Sequence, residues 1–172
     1  VANTNLNKIN TGKKIDIRAR KFLKISGLDY AHGTGHGVGF FLNVHEGPQS
    51  ISKLNNVKIL EGMILSNEPG YYKEKSFGIR IENLVYVKKR NNNLFFENLT
   101  LAPIDKDLIN FKLLTKNEKN YLFAYPETVK AFAHGLQEIV VVEEKRALIE
   151  PQVKDILFDL SDAQRPRVVG KT

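Results

Sequence analysis

Between Ala31 and His45 the chain reads AHGTGHGVGFFLNVH, and this segment narrows what the sequence can fold into more than any other. Gly33, Gly35, Gly37 and Gly39 alternate with other residues. Without Cβ atoms at every second position, a backbone can lie close against another strand or a ligand, and φ is relaxed where a turn is needed. The same stretch carries His32, His36 and His45, three of the chain's 4 histidines. Imidazole is the commonest neutral metal ligand, and its charge changes near physiological pH, so the segment points to a metal or proton-transfer site. The alternative is a glycine-rich turn whose histidines serve as partly buried hydrogen-bonding residues.

Two acidic segments follow, EGMILSNEPGYY and SFGIRIENLVYV. In each, a glutamate interrupts an apolar, strand-like run: Glu68 after MILSN, and Glu82 between Ile81 and Asn83. A carboxylate in such a setting costs several kcal/mol to bury unless a cation compensates it. A metal ion is one such cation.

HGTGHGVG, NVHEGP, MILSNEPGYY and GIRIENL, in this order, resemble the C-terminal catalytic segments of aminopeptidase P, the Xaa-Pro aminopeptidases of the pita-bread metallopeptidase family. The resemblance covers roughly residues 1–123. It implies an α+β fold, a partial pita bread of antiparallel strands with flanking helices. It also implies a two-metal centre, usually manganese and sometimes cobalt or zinc, whose bridging hydroxide attacks the peptide bond before a proline. Carried over by position, His36 is a metal ligand, Glu68 a second ligand to the same ion, and Glu82 a bridge between both ions. His32 and His45 match histidines that contact substrate at the scissile carbonyl, and Arg80 an arginine that orients the neighbouring carboxylate. The substrate implied is a peptide with proline at its second position.

Such enzymes complete the centre with two aspartates that precede the histidine segment. Here the only acidic residues before His32 are Asp16, within KKIDIRARKF, and Asp29, in the turn before the histidines, and neither matches a ligand. Three ligands of five remain, so one weakly held ion is expected. The expectation is therefore a fragment of a catalytic domain that begins partway through it, with little activity by itself. The absence of an initiator methionine agrees with truncation.

Charge, composition and pattern add the following. There is no long apolar run, so no transmembrane helix is expected, nor is a signal peptide visible. Zero cysteines exclude disulfides and thiolate sites, compatible with a cytoplasmic location. The net charge of +7 raises nucleic-acid binding, but the lysines are scattered, apart from Lys88, Lys89 and Arg90 leading into Asn91, Asn92 and Asn93. That cluster reads as the solvated edge of a hairpin, and no nucleic-acid module is recognisable. A homo-oligomer is compatible with these observations. The spacing predicts a helix over 14–26, the histidine strand, and a loop with Pro48 and a polar turn at Asn55 and Asn56. Strands over 62–69, 77–89 and 93–101 follow, then a helix near Thr115 with Glu118 completing a capping box.

Composition changes near residue 124. Residues 1–124 hold 16 asparagines and residues 125–172 none; lysine outnumbers arginine 15 to 4 before the change and 4 to 3 after it. Basic residues outnumber acidic ones 19 to 11 in the first part, and acidic outnumber basic 8 to 7 in the second. Two coding origins are expected, 1–124 and 125–172, the alternative being a helical extension of the same peptidase. In YPETVKAFAHGLQEIVVVEEKRALIEPQVKDILFDL, Pro126 and Glu127 open a predicted helix, Gly135 ends it, and EIVVV is a short strand before another helix. This αβα unit expects a parallel sheet, with few partners to bury its strand against. FAHGLQEIVVVEEKRALIEPQVKDILFDL and RPRVVGKT resemble a segment of indolepyruvate ferredoxin oxidoreductase, a thiamine-diphosphate enzyme, without an assignable catalytic motif. His134 reads as a helix C-terminal residue favoured by the dipole. Glu143, Glu144, Lys145 and Arg146 read as a solvated strand-to-helix turn.

Overall fold

Thr11 starts helix α1 (Gly12–Ile25) because its extended backbone brings the side-chain oxygen onto the N–H of Lys14, satisfying one of the donors that a helix start leaves without a partner. Ser26 caps the other end, and Gly27 follows at φ 70°, where a Cβ would be strained. The helix therefore begins two residues before the expected 14–26 and buries Ile15, Asp16 and Arg20. A Cβ on Gly12 would stand 1.8 Å from the carbonyl oxygen of Ser50, so the first turn of α1 rests directly on the backbone of the neighbouring strand.

The computed structural model describes residues 1–41, 43–100, 104, 106–142, 147 and 149–170, the side chains of 106 and 122–125 lying outside that description. It divides into two units, Val1–Thr100 and Leu101–Thr172. Within the first, β1 (Gly35–Val38), β2 (Ser50–Ile51), β3 (Ile64–Asn67), β6 (Asn83–Arg90) and β7 (Asn93–Asn98) make one antiparallel sheet in the order β2-β1-β3-β6-β7. A separate hairpin pairs β4 (Gly70–Lys73) with β5 (Phe77–Arg80).

Alternation decides which face is buried. Leu65 of β3 stands opposite Val85 of β6, and Val87 opposite Phe96 of β7; these four, with Leu6, Ile15, Ile51 and Ile59, form the core. Each such side chain contributes about 1.5–3 kcal/mol of apolar burial. Asn91 and Asn92, both at positive φ, make the two-residue turn between β6 and β7, the backbone twist a tight hairpin requires. Lys88 reaches across to Glu97 at 3.0 Å, so the basic cluster is partly paired at this hairpin.

The predicted strand 62–69 is cut back to β3 (Ile64–Asn67), and 77–89 is broken in two. Pro69, which has no N–H for a ladder, separates β3 from β4, and the chain leaves the large sheet there. The second run divides at Ile81 and Glu82 because its first half pairs with β4 and its second with β3. Both glutamates therefore lie at strand ends. In register Asn67 faces Asn83, so Glu68 and Glu82 flank the same last rung.

In the second unit Thr115 and Glu118 form the expected capping box at the start of α2 (Lys116–Ala133). Pro126 opens no new helix: α2 runs through it to His134, its C-cap, and Gly135 follows at φ 77°. The start at Thr115 makes Pro126 an interior residue, at the cost of one backbone hydrogen bond. β8 (Glu138–Val140) pairs in parallel with β9 (Arg167–Val169), a strand not foreseen, across the crossover helix α3 (Ile149–Phe158). The unit has its own core, Val129, Ala133, Val153 and Leu157, with Ile139 and Val168 against it, so the short strand is covered better than expected. Residues 143–146 lie outside the described residues, as does Leu101 at the end of the third predicted strand.

A Cβ on Gly35 would stand 1.9 Å from the carbonyl oxygen of Ser66. Gly35→Ala is therefore expected to push β1 off β3 and cost about 1–3 kcal/mol. Urea unfolding reads this as a lower midpoint at unchanged slope; an unchanged midpoint would mean that the two strands separate without cost.

Candidate functional site

β1 and β3 set the first pair. His36 lies on β1, and its backbone N–H donates to Ser66 Oγ (2.9 Å), while Ser66 donates in turn to Glu68 Oε1 (2.8 Å). Nδ1 of His36 is 2.9 Å from the carbonyl of Gly37, which can only accept, so this nitrogen carries the hydrogen. In the neutral ring Nε2 then presents a lone pair to Glu68 Oε1 at 3.5 Å. Two acceptors facing each other need a shared cation or a second imidazole proton. The donor set, one imidazole nitrogen and one carboxylate oxygen, has the chemistry of a divalent-cation site.

The other oxygen of Glu68 is committed to Arg80. Nη1 of Arg80 donates to Glu68 Oε2 at 3.1 Å and lies 3.8 Å from Glu82 Oε2. Glu68 is nearly buried, at 9% exposed, and gains a cation there; Glu82 is exposed. The guanidinium thus separates two carboxylates of like charge at the end of one ladder. Among the described residues no group of three or more His, Asp or Glu side chains is arranged to hold a metal ion.

Arg80 also connects to the histidines. Its Nε–H donates to the Tyr72 hydroxyl (2.8 Å). His32 Nδ1 is 2.7 Å from the Gly33 carbonyl and therefore protonated, so His32 Nε2 accepts from the Tyr72 hydroxyl at 2.9 Å. The hydrogens of the relay run one way, from Arg80 Nε to the Tyr72 oxygen and from the Tyr72 hydroxyl to His32 Nε2, in keeping with the tautomer that the Gly33 carbonyl fixes. The Tyr72 hydrogen bond is the main reason the Arg80 guanidinium is held above its ordinary range. His45 is exposed and meets His36 edge-on at 4.2 Å between ring centroids.

Of the six expected residues, then, His36 and Glu68 are in direct contact, Arg80 touches Glu68 and approaches Glu82, His45 meets His36 edge-on, and His32 joins through Tyr72. Asp16 and Asp29, expected not to be ligands, are both bound by Arg20. Tyr72 and Ser66 escaped the sequence reading. A signal for Tyr72 was present in Gly70 and Gly78, where an added Cβ would lie 2.8 Å from the tyrosine side chain. Glycines in a short hairpin mark a close approach.

Residues 4–89, half of the chain, match metallopeptidase family M24, and residues 92–138 match the C-terminal region of peptidase M24. Residues 122–172 match the indolepyruvate ferredoxin oxidoreductase middle domain. Xaa-Pro aminopeptidase 1 of Dictyostelium discoideum is 52% identical over 128 residues, 69% of this chain and 20% of the relative. A protein of Laccaria bicolor named "Probable Xaa-Pro aminopeptidase P" is 52% identical over 126 residues, 67% of this chain and 20% of the relative. The chain thus spans about a fifth of the length of these relatives. The crystal structure of X-prolyl aminopeptidase from Caenorhabditis elegans, described as a cytosolic enzyme with a di-nuclear active site, superposes with a TM-score of 0.63 at 40% identity, over 70% of this chain and 20% of that one. The first unit accordingly has part of the pita-bread fold. Among the described residues no helix is long and apolar enough to cross a membrane.

Tyr72→Phe removes the hydroxyl between His32 and Arg80 and is expected to cost about 0.5–1.5 kcal/mol of stability while leaving the fold intact. A stability equal to that of the parent chain would show that water replaces the hydroxyl without loss. Acid unfolding tests Asp29, whose carboxyl Arg20 and, secondarily, Lys53 hold well below the usual carboxylate range. A depressed folded pKa gives stability that is complete above the ordinary carboxylate value and lost as pH falls through the folded one. Asp29→Asn is expected to flatten that acid limb, and an unaltered limb would assign it to other carboxylates.

Proposed function

We propose that this chain, which belongs to metallopeptidase family M24, carries the histidine- and glutamate-bearing part of a metal-dependent Xaa-Pro aminopeptidase. The observation behind the proposal is the lone pair of His36 Nε2 facing Glu68 Oε1 at 3.5 Å, the two groups at which the sequence resemblance puts ligands to one ion. His36 and Glu68 would hold a divalent cation, for which manganese is proposed, with Glu82 as the third ligand once Arg80 gives it up. When bound, such an ion supplies Lewis-acid polarisation and a nucleophile at neutral pH. The chain's own residues bind and orient. His32 and His45 face the substrate at the scissile carbonyl, His32 with its tautomer set by Gly33 and Tyr72. Arg80 binds Oε2 of Glu68 and so leaves Oε1 turned toward His36. The proposed substrate is a peptide with proline at the second position, in a cytoplasmic setting, and self-association is the proposed oligomeric arrangement.

The match of residues 122–172 to a different enzyme family favours a second reading, in which 1–124 and 125–172 have separate origins and the chain is a non-catalytic fusion product. Calorimetric titration with manganese separates the two. One weakly held ion per chain is expected, its affinity falling as acidity rises because a protonated imidazole has no lone pair. His36→Ala is expected to abolish binding, and binding that survives this substitution would refute the site. Release of the N-terminal residue from an Xaa-Pro peptide is expected to stay far below that of a complete relative. Robust turnover lost in both His36→Ala and Glu82→Ala would show a complete centre instead.

A further inference from the structure

Arg20 is 1% exposed, and four hydrogen bonds leave its guanidinium. Nε donates to Asp16 Oδ2 (2.8 Å), Nη1 to Asp29 Oδ1 (2.5 Å) and to the carbonyl of Tyr30 (2.7 Å), and Nη2 to the carbonyl of His32 (2.6 Å). The Tyr30 ring covers it, with its centroid 3.8 Å from Cζ. Asp16 also accepts from Thr34 Oγ1 (2.6 Å), and Thr34 is hydrogen-bonded to the Tyr30 hydroxyl. A buried ion pair with Asp16 alone would satisfy the charge. A second carboxylate and two backbone carbonyls, taken in different directions from one plane, specify where the turn from Asp29 to Thr34 lies against α1. Burial opposes the charge on Arg20, yet the hydrogen bonds it donates to Asp16 and Asp29 outweigh it and hold the guanidinium above its ordinary range.

We propose that Arg20 is the positioning residue for His32, setting through the His32 carbonyl the ring orientation in which Nε2 meets Tyr72. The imidazole also meets the Tyr30 ring, which itself lies over Arg20, at 4.9 Å between centroids, a contact within the same turn. Its Nδ1 bonds to the next carbonyl in its own chain, at Gly33, so that contact moves with the turn and only Tyr72 fixes the ring from outside it among the contacts described. A shift of the turn on α1 therefore becomes a shift of Nε2 away from the tyrosine. The inference rests on the reading of His32 as a substrate-facing histidine only for its functional meaning; the geometry stands apart from it.

The test is NMR of the imidazole nitrogens in the isotope-labelled full chain, with the methyl signals of Leu65 and Val85 reporting the core. Tyr72→Phe supplies the reference spectrum of a His32 ring without its partner. Arg20→Lys keeps a cation for Asp16 but lacks the planar fork that reaches Asp29 and both carbonyls. It is expected to leave the core methyls in place, move the His32 nitrogens to the Tyr72→Phe positions, and leave those of His36 unchanged. A parental His32 spectrum over a native core would overturn the proposal. Should Arg20→Lys fail to fold, Asp29→Asn decides, since it retains the guanidinium and loosens one of its anchors. A partial shift of His32 toward the reference is then expected, and no shift overturns it. Neither metal nor turnover enters this readout. A His32 ring that moves while binding of an Xaa-Pro peptide is unaltered would sink the substrate role of His32 and leave that of Arg20 standing.

Discussion

The close approach of β1 to the backbone on either side is the constraint on which the site depends. A Cβ on Gly35 would lie 1.9 Å from the carbonyl oxygen of Ser66, and one on Gly37 would lie 2.0 Å from that of Glu46. With side chains removed at these two positions, the intervening His36 is drawn down until its N–H reaches Ser66 Oγ and its ring reaches Glu68. Any bulk at either glycine would lift the strand. The alternation of glycine with larger residues is thus less a source of flexibility here than a way to bring an imidazole and a carboxylate from two strands into contact.

Electrostatics then explains why two glutamates can share a ladder end. Their proximity would be unfavourable without a cation, and Arg80 sits between them, 3.1 Å from Glu68 and 3.8 Å from Glu82. The guanidinium also orients Tyr72, which orients His32, so the carboxylate pair and the outer histidine are coupled by hydrogen bonds of fixed polarity. Arg20 performs the same kind of work from within the core, where its charge is compensated by Asp16 and Asp29. Arginine suits both places because its donors diverge in one plane.

The second unit is built on different terms. Its parallel pair, β8 with β9, joins through α3, and its core holds Val129, Ala133, Val153 and Leu157. A parallel pair needs such a crossover, and the helix that provides it also covers the strands. The compositional change at residue 124 falls inside α2, where the matches to the peptidase C-terminal region and to the oxidoreductase middle domain overlap. One helix therefore carries sequence recognised by both families.

Local features were readable without coordinates where they rest on a residue's own backbone preference. Thr115 with Glu118 marked a helix start, the run from Asn91 to Asn93 marked a hairpin turn, and Gly135 marked a helix end, because capping and positive φ are decided within a few residues. The histidines and the two glutamates stood out because charged and imidazole groups interrupt apolar, strand-forming runs. Beyond these, pairing across the chain decided. Alternation gave no reason for a strand over 77–89 to break at Glu82; the break exists because β4 claims its first half and β3 its second. Pro126 looked like a helix start and became a helix interior, since the cap eleven residues earlier had already set the register. Tyr72 and Arg20 took their roles from partners 40 and up to 12 residues away in sequence, contacts that no local pattern encodes. The sequence by itself determined which groups are available and where the chain turns; tertiary structure alone decided which of them meet, because hydrogen bonding and charge compensation act between segments that only the folded sheet brings together.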